Sequence, residues 1–344
     1  MTAMQHELTE AGPLLNADGR LHRPGWLRHP LLDANLDRAA PGALHRLRLK
    51  QWDYYGVWTP DLYVSATISH VGYAGLVFCY VVDLVGGGQV DHTITLPFGR
   101  GVQLPADSRR GESTYAAGGT RVVFRTDQSA RLLDVTDPAF DGGRGLRIDV
   151  TLACPPHHES IVMATPMGGD RFYYNRKLNG LRAAGRIVWG DRAIDLDPAR
   201  ALGQLDWGRG VWPYRSHWIW ASANGFLPNG RVVGLNLGGG FGDLSHATEN
   251  TLFVDGRAHK LGGVTFAFDP RDYTRPWRMT DDAGRLDVTL TPHVERVART
   301  SLLVIRSEVH QMFGHYAGHV VTDAGERINL HALPGFAEEH YARW

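Results

Sequence analysis

The densest gathering of chemically able side chains is Ala201–Asp243, ALGQLDWGRGVWPYRSHWIWASANGFLPNGRVVGLNLGGGFGD, which sets Asp206, Arg209, Arg215 and His217 among Trp207, Trp212, Trp218 and Trp220. A carboxylic acid that protonates an alkene or a leaving hydroxyl must keep its proton near neutral pH, and apolar surroundings favour that by desolvating the charged form. Asp206, beside Trp207, Trp212 and Trp218, fits such a proton donor; paired with Arg209 or Arg215 it would instead brace a loop. His217 is the natural general base or relay, since imidazole titrates nearest the working pH. Tyr214 offers a hydroxyl for the same relay. Asp206, Tyr214 and His217 are therefore the candidate catalytic set.

The candidate ligand-binding set is Trp207, Arg209, Trp212, Trp218, Trp220, Asn236 and Tyr173. In a strand over Ser216–Ala223 the side chains alternate, so His217, Ile219 and Ala221 share one face and Trp218, Trp220 and Ser222 the other. The tryptophans are expected on a ligand cavity and His217 outside it, bracing the exterior or a domain interface. Tyr54, Tyr173 and Tyr214 each join an apolar ring to a hydroxyl that can donate into a greasy pocket. Asn236 interrupts the apolar run Val232–Leu237 and needs a hydrogen-bond partner, which a backbone edge, a ligand or Asp243 would supply.

These residues need strands to position them, and the chain is written in strands. From Lys50 onward, period-two runs of β-branched and aromatic residues are punctuated by Gly, Pro and Asp. The first series is Leu62–Ser69, Leu76–Leu84, Gln89–Leu96, Thr120–Thr126, Ala130–Val135 and Leu146–Ala153, with Gly86–Gly88 as a hairpin signal. The second begins with Ser160–Met163, Phe172–Lys177, Gly185–Trp189 and Ala193–Leu196. It continues with His217–Ala223, Arg231–Leu237, Asn250–Asp255, Gly263–Phe268, Arg285–Thr291, Ser301–His310 and Tyr316–Thr322. Short helices are expected at Leu31–Leu36 and, from an N-cap Asp followed by Pro, at Asp197–Gln204. The spacing predicts an all-β protein of two consecutive antiparallel barrels or curved sandwiches: a lead-in at 1–50, a first β domain at 51–165 and a second at 166–344.

Composition narrows the partners. Lys plus Arg and Asp plus Glu number 36 each, so no net field draws the chain to nucleic acid or an anionic membrane. No run approaches the ~18 apolar residues of a transmembrane helix. Cys79 and Cys154 lie in separate apolar runs, which predicts buried thiols and a cytoplasmic setting. Gly238–Asp243 (GGGFGD) opens no helix and so reads as a turn, not a dinucleotide loop. His157–Glu159 is contiguous, and His315 and His319 lie about 13 Å apart by strand rise, too far to clasp one metal. No metal and no cofactor is expected. No Gly-x-Ser-x-Gly elbow is present, and neither cysteine has a local activating group. Asp243, His246, Glu249 and Asn250 could gather polar groups at a barrel mouth, and the C-terminal Glu338–Trp344 could fold across one.

The block Asp206–Tyr214 (DWGRGVWPY), followed by His217–Trp220 (HWIW) and Gly234–Gly238 (GLNLG), resembles a bacterial family known as a domain of unknown function. Leu14–Gly19 (LLNADG), Tyr173–Lys177 (YYNRK) and His310–Gly314 (HQMFG) extend the resemblance over nearly the whole chain. More distantly, the arrangement is similar to tandem lipocalin-like proteins that include bacterial carotenoid hydratases and fungal Diels-Alderases. The resemblance implies lipocalin-like barrels around a lipophilic small molecule; it implies no reaction, because the family has none assigned. With the aromatic density, it points to a cofactor-free enzyme on an isoprenoid, polyene or fatty substrate, acting by hydration or dehydration, isomerisation or cyclisation. In that reading Asp206 is the proton donor and aromatic faces stabilise a developing cation. A non-catalytic carrier of a lipophilic ligand and a protein-interaction module are the alternatives.

Overall fold

In the computed structural model, which describes residues 5–39, 45–127, 129–302 and 305–344, the period-two pattern becomes two large antiparallel sheets. Each sheet curls into a half-barrel, so the chain forms two consecutive lipocalin-like barrels. The first runs Gln89–Pro97, Ala74–Asp83, Leu62–His70, Lys50–Trp58, Leu202–Val211, Phe172–Trp189, Leu146–Ala153, Ala130–Asp137, Thr120–Thr126 and Gly111–Ala117. The second runs Arg257–Lys260, Thr251–Val254, Val232–Gly239, Arg215–Phe226, Arg327–Arg343, Ile305–Val321, Leu286–Leu302, Trp277–Asp281 and Val264–Ala267.

Several expectations are corrected. Leu31–Leu36 is not helical: Leu32–Asp33 pairs in parallel with Gly12–Pro13, and only a 3-10 turn at Leu36–Arg38 follows. Asp197–Gln204 is not a helix either. Asp197 Oδ1 accepts from the Ala199 amide and closes a turn, after which Leu202–Val211 is a fully buried strand. Strand partners on both sides, Lys50–Trp58 and Phe172–Trp189, outweigh the local N-cap signal. The strand expected over Ser301–His310 is divided between Leu286–Leu302 and Ile305–Val321, residues 303–304 lying outside the described set. The change of sheet falls between Val211 and Arg215 and not near residue 165, because Phe172–Trp189 and Leu202–Val211 close the first sheet. The lead-in is integral to the fold: Gly25–Leu27 pairs with Ile161–Pro166, and Trp26 packs on Ile161, Met163, Ala247, Phe253 and Ala258.

Alternation explains why so many strands are buried throughout. Along Lys50–Trp58, Leu62–His70 and Ala74–Asp83, residues such as Tyr55, Val57, Val64, Ile68, Val77 and Val81 fill the first barrel. Their alternates Tyr54, Trp58, Tyr63, Tyr80 and Val82 meet Trp220, Val294, Phe313 and Phe336 of the second sheet. Each such fully buried ring or aliphatic chain contributes about 1.5–3 kcal/mol, so the two barrels are joined by a true core and not by a linker. Below this layer, Gln204 Oε1 accepts from Trp58 Nε1 (3.1 Å), Ser222 Oγ (3.1 Å) and Asn224 Nδ2 (2.8 Å), which gives these three buried donors a common acceptor.

One irregularity decides what faces this interface. In Leu286–Leu302, Pro292 pairs with Gly314 but Val294 pairs with Phe313, so His293 is an extra residue forming a β-bulge. Leu286, Val288 and Leu290 point into the second barrel, whereas Val294, of the same parity, packs in the interface. Gly314 is the residue that lets the bulge close, since a Cβ there would strike the Thr291 carbonyl.

Candidate active site

The two sheets face each other through rows of residues in register. On the first sheet, cross-strand pairing lines up Lys177, Asp206, Tyr54, Thr67 and Phe78. On the second it lines up Arg296, Gln311, Glu338, Trp220 and Gly238. Between these rows lies a cavity of about 230 Å³, lined largely by apolar surface from Trp52, Leu76, Phe78, Trp218, Trp220 and Phe241. At interior packing density it takes a ligand of roughly ten to a dozen non-hydrogen atoms.

One end of the cavity holds a charge cluster. Lys177 Nζ lies 3.1 Å from Asp206 Oδ2, 3.7 Å from Glu249 Oε2 and 4.0 Å from the centre of the Trp220 ring. Asn175 Nδ2 donates to Glu249 Oε2 at 2.9 Å. Gly238 makes the room for Glu249, whose carboxylate occupies the place a Cβ would take. Burial works against the charge on Lys177, but Asp206 and Glu249 overcome it and hold its pKa above the ordinary value. Burial pushes Glu249 up, with Lys177 opposing. Both directions are compatible, because Asp206 is the closer partner of the ammonium.

Glu338 stands beside this cluster. Its Oε1 accepts from Trp218 Nε1 (3.3 Å) and its Oε2 from Gln311 Nε2 (2.9 Å), while Gln311 Oε1 accepts from the Tyr80 hydroxyl (3.1 Å). Burial raises Glu338 to about 7, so a substantial fraction keeps its proton near neutrality. The Tyr80 hydroxyl continues to Tyr54 (2.7 Å) and from there to Tyr63, all within the sheet interface. Two residues further along the same strand, His340 lines the cavity; burial lowers it to about 3, so it is neutral and bonds Ser307 Oγ through Nε2 at 2.7 Å.

The sequence-derived candidates are divided by strand parity. Asp206 reaches the cavity, and its Oδ1 is buried without a hydrogen-bond partner among the described residues. Trp207 and Arg209, on the opposite face, point into the first barrel: Trp207 packs edge-on against Tyr174, and Arg209 pairs with Asp53 at 2.8 Å and donates to the Pro105, Trp52 and Gly208 carbonyls. Neither can touch a cavity ligand. Trp218, Trp220 and Tyr173 line the cavity, whereas Trp212 sits behind Trp52, Tyr173 and Phe241. Asn236 is one layer back, accepting from Trp220 Nε1 (2.8 Å) and donating to the Glu249 carbonyl (3.0 Å). His217 faces away, bonding Glu339 Oε1 through Nε2 at 2.9 Å. Tyr214 is 49% exposed and does not line the cavity, so it does not relay from Asp206.

Lys177, Glu249, Glu338, Arg296 and Gln311 carry the polar chemistry and were not on the candidate list. A signal existed for three: Glu249 and Glu338 stand in stretches expected at a barrel mouth, and Lys50, Lys177 and Lys260 are the only lysines in an arginine-rich chain. Lys50 and Lys177 are buried, and Lys260 donates to Thr248 Oγ1 and to two carbonyls in the interior. Among the described residues no three His, Cys, Asp or Glu side chains converge as metal ligands, and no helix is long and apolar enough to cross a membrane.

The chain is similar to several solved structures. Kievitone hydratase from Nectria haematococca is 11% identical, over 86% of this chain and 88% of that one, with a TM-score of 0.45. An AttH-like protein from Nitrosomonas europaea is 14% identical over 90% and 96%, with a TM-score of 0.41. CghA, solved with Sch210972, is 10% identical over 96% and 97%, with a TM-score of 0.46. No curated protein matches in sequence. The family model described as Domain of unknown function (DUF2804) matches residues 5–344.

Proposed function

The chain belongs to this family of unknown function, and from that premise and the chemistry of the cavity we propose a cytoplasmic, cofactor-free enzyme that moves protons on a lipophilic isoprenoid, polyene or fatty substrate. The observation that carries the reading is Glu338, a buried carboxyl held near 7 on the wall of an apolar cavity, with a second carboxyl, Asp206, on the facing sheet. Two carboxyl groups with different partners divide the roles of acid and base. Glu338, hydrogen-bonded only by neutral donors, is the acid; Asp206, ion-paired with Lys177, is the base. This moves the donor's role from Asp206 to Glu338.

In a dehydration, the Glu338 proton goes to the leaving hydroxyl and the C–O bond breaks to release water. Asp206 takes the proton from the neighbouring carbon, whose C–H electron pair becomes the new double bond. Hydration is the reverse, and isomerisation uses the same two groups to remove a proton at one carbon and deliver one at another. Two of the ring faces expected to serve a carbocation are occupied by cations of the protein itself. Lys177 already lies over Trp220 at 4.0 Å and Arg296 over Tyr80 at 3.8 Å. Of these two cations Lys177 is paired with carboxylates, whereas Arg296 has none within 4.0 Å and favours negative charge building on a substrate oxygen or conjugated carbon, as proton removal next to a carbonyl produces. The size of the cavity favours a compact substrate over a full-length carotenoid.

The test is native mass spectrometry with organic extraction of protein purified from its own host, comparing wild type with Glu338→Gln and Asp206→Asn. A small lipid present in all three and chemically altered only by wild type supports proton-transfer catalysis. The same unaltered molecule in all three makes the protein a carrier, and an empty protein removes the ligand reading altogether.

A further inference from the structure

Arg296 stands at the far end of the row that begins with Gly238 and Trp220, turned toward the first sheet by the bulge at His293. It is 7% exposed, its guanidinium lies over the Tyr80 ring, and its Nε is buried without a hydrogen-bond partner. Among the described residues no carboxylate oxygen comes within 4.0 Å of it and no hydrogen bond is made to it. The other buried guanidinium groups are served differently. Arg209 has Asp53 and three carbonyls, Arg131 has carbonyls of Asp127, Ala130 and Ser108, and Arg176 has Ser160 Oγ and the Ser108 carbonyl. A buried cation without acceptors is costly, and the cost is recovered when an anion supplies them.

We propose that the cavity takes an amphipathic carboxylic acid, with its carboxylate on the Arg296 guanidinium and its hydrocarbon lying across Gln311 and Glu338 toward Trp220. The planar fork of arginine matches a carboxylate with two parallel hydrogen bonds. Charge count selects a carboxylate over a phosphate ester. With Glu338 protonated, the Asp206 and Glu249 carboxylates balance Lys177 and Arg296, and a single added charge is tolerated better than the nearly two of a phosphate. Length agrees as well, since Arg296 and Trp220 are three strand spacings apart, roughly 14 Å between backbones, which suits an acid of about ten carbons. The inference rests on the reading of this cavity as a ligand site and extends it to the class of substrate; it does not require turnover.

Binding to the full-length protein is measured by tryptophan fluorescence and calorimetry with decanoic acid, decan-1-ol and decyl phosphate, for wild type, Arg296→Gln and Arg296→Lys. Wild type is expected to prefer decanoic acid over the alcohol at least about tenfold. The Gln variant is expected to lose about 10- to 100-fold for the acid and little for the alcohol, the range of a charge-assisted hydrogen bond. The Lys variant should recover part of the loss. Removing an unpaired buried cation should leave the melting temperature unchanged or raised, so folding does not confound the result. Equal binding of acid and alcohol by wild type, equal losses for both in Arg296→Gln, tighter binding of decyl phosphate, or no binding of any probe overturns the proposal. Acid selectivity that survives in a protein without turnover would remove the enzymatic reading alone; turnover without acid selectivity would remove this one alone.

Discussion

Replacing Glu338 with glutamine should flatten the dependence of stability on pH in a direction fixed by the site. Burial holds the folded-state pKa at about 7 against an ordinary 4.5. Below the lower value, folded and unfolded chains both carry the proton and the group costs nothing. Above the upper value both have lost it, and only the folded chain bears a buried carboxylate. Stability due to Glu338 is therefore full at low pH and is lost as pH rises, to a limit of roughly 3 kcal/mol at about 1.4 kcal/mol per unit. Between pH 5 and pH 8 the loss amounts to about 2.5 kcal/mol. Charges facing the group are Arg296 and Lys177, which ease the loss, and Asp206, which aggravates it; Trp218 and Gln311 contribute hydrogen bonds and no charge. Lys260 and Lys50, lowered by burial to about 7 and about 8, titrate in the same region with the opposite sign. They are present in both proteins, so the difference between wild type and Glu338→Gln isolates Glu338. Urea unfolding at the two pH values is the assay. Wild type should lose about 2.5 kcal/mol relative to the variant on going to pH 8; parallel profiles would refute the assignment of a raised pKa to this carboxyl.

Lys177→Met removes the cation between Asp206 and Glu249 and should destabilise by about 3–5 kcal/mol, with Asp206→Asn in the same chain restoring part of the loss in denaturant titrations. Arg209→Met strands Asp53 and should cost a similar 3–5 kcal/mol or so, yet leave the extracted ligand of the folded fraction unchanged, because Arg209 serves the first barrel; a changed ligand would return it to the site. Tyr214→Phe, at an exposed position, should shift stability by no more than about 0.5 kcal/mol and leave turnover of the extracted ligand intact, whereas a loss of turnover would place its hydroxyl in the reaction.

The fold was largely legible because period-two alternation is local information. The strands at Leu62–Ser69, Leu146–Ala153 and Phe172–Lys177 fall within observed ones, and the parity of Trp218 and Trp220 could be read from Ser216–Ala223 alone. Local signals misled where tertiary partners outweighed them, as in Asp197–Gln204, whose capping chemistry made a turn before a strand held from both sides. The site was half legible. Asp206 stood out among tryptophans, but the same strand carries Trp207 and Arg209 to the other face, so nearness in sequence misassigned them. Glu249, Arg296 and Glu338 come from three segments far apart in the chain. Only sheet register brings them together, and no spacing in the sequence encodes that register.

The bulge at His293 gives the strand a phase, much as a reading frame gives one to a message. Downstream of it Arg296, Ala298 and Thr300 line the cavity, while Glu295 and Arg299 lie exposed. Deleting His293 alone would only straighten the strand, because Val294 and Arg296 would keep Phe313 and Gln311 as partners; adding one residue before Val294 without a second bulge would exchange the two sets and bring Glu295 to where the guanidinium now stands. Within this family, therefore, the length of that short stretch carries chemical meaning that residue identity alone does not, and a homologue longer there by one residue should be read as having a different cavity even where every neighbouring side chain is the same.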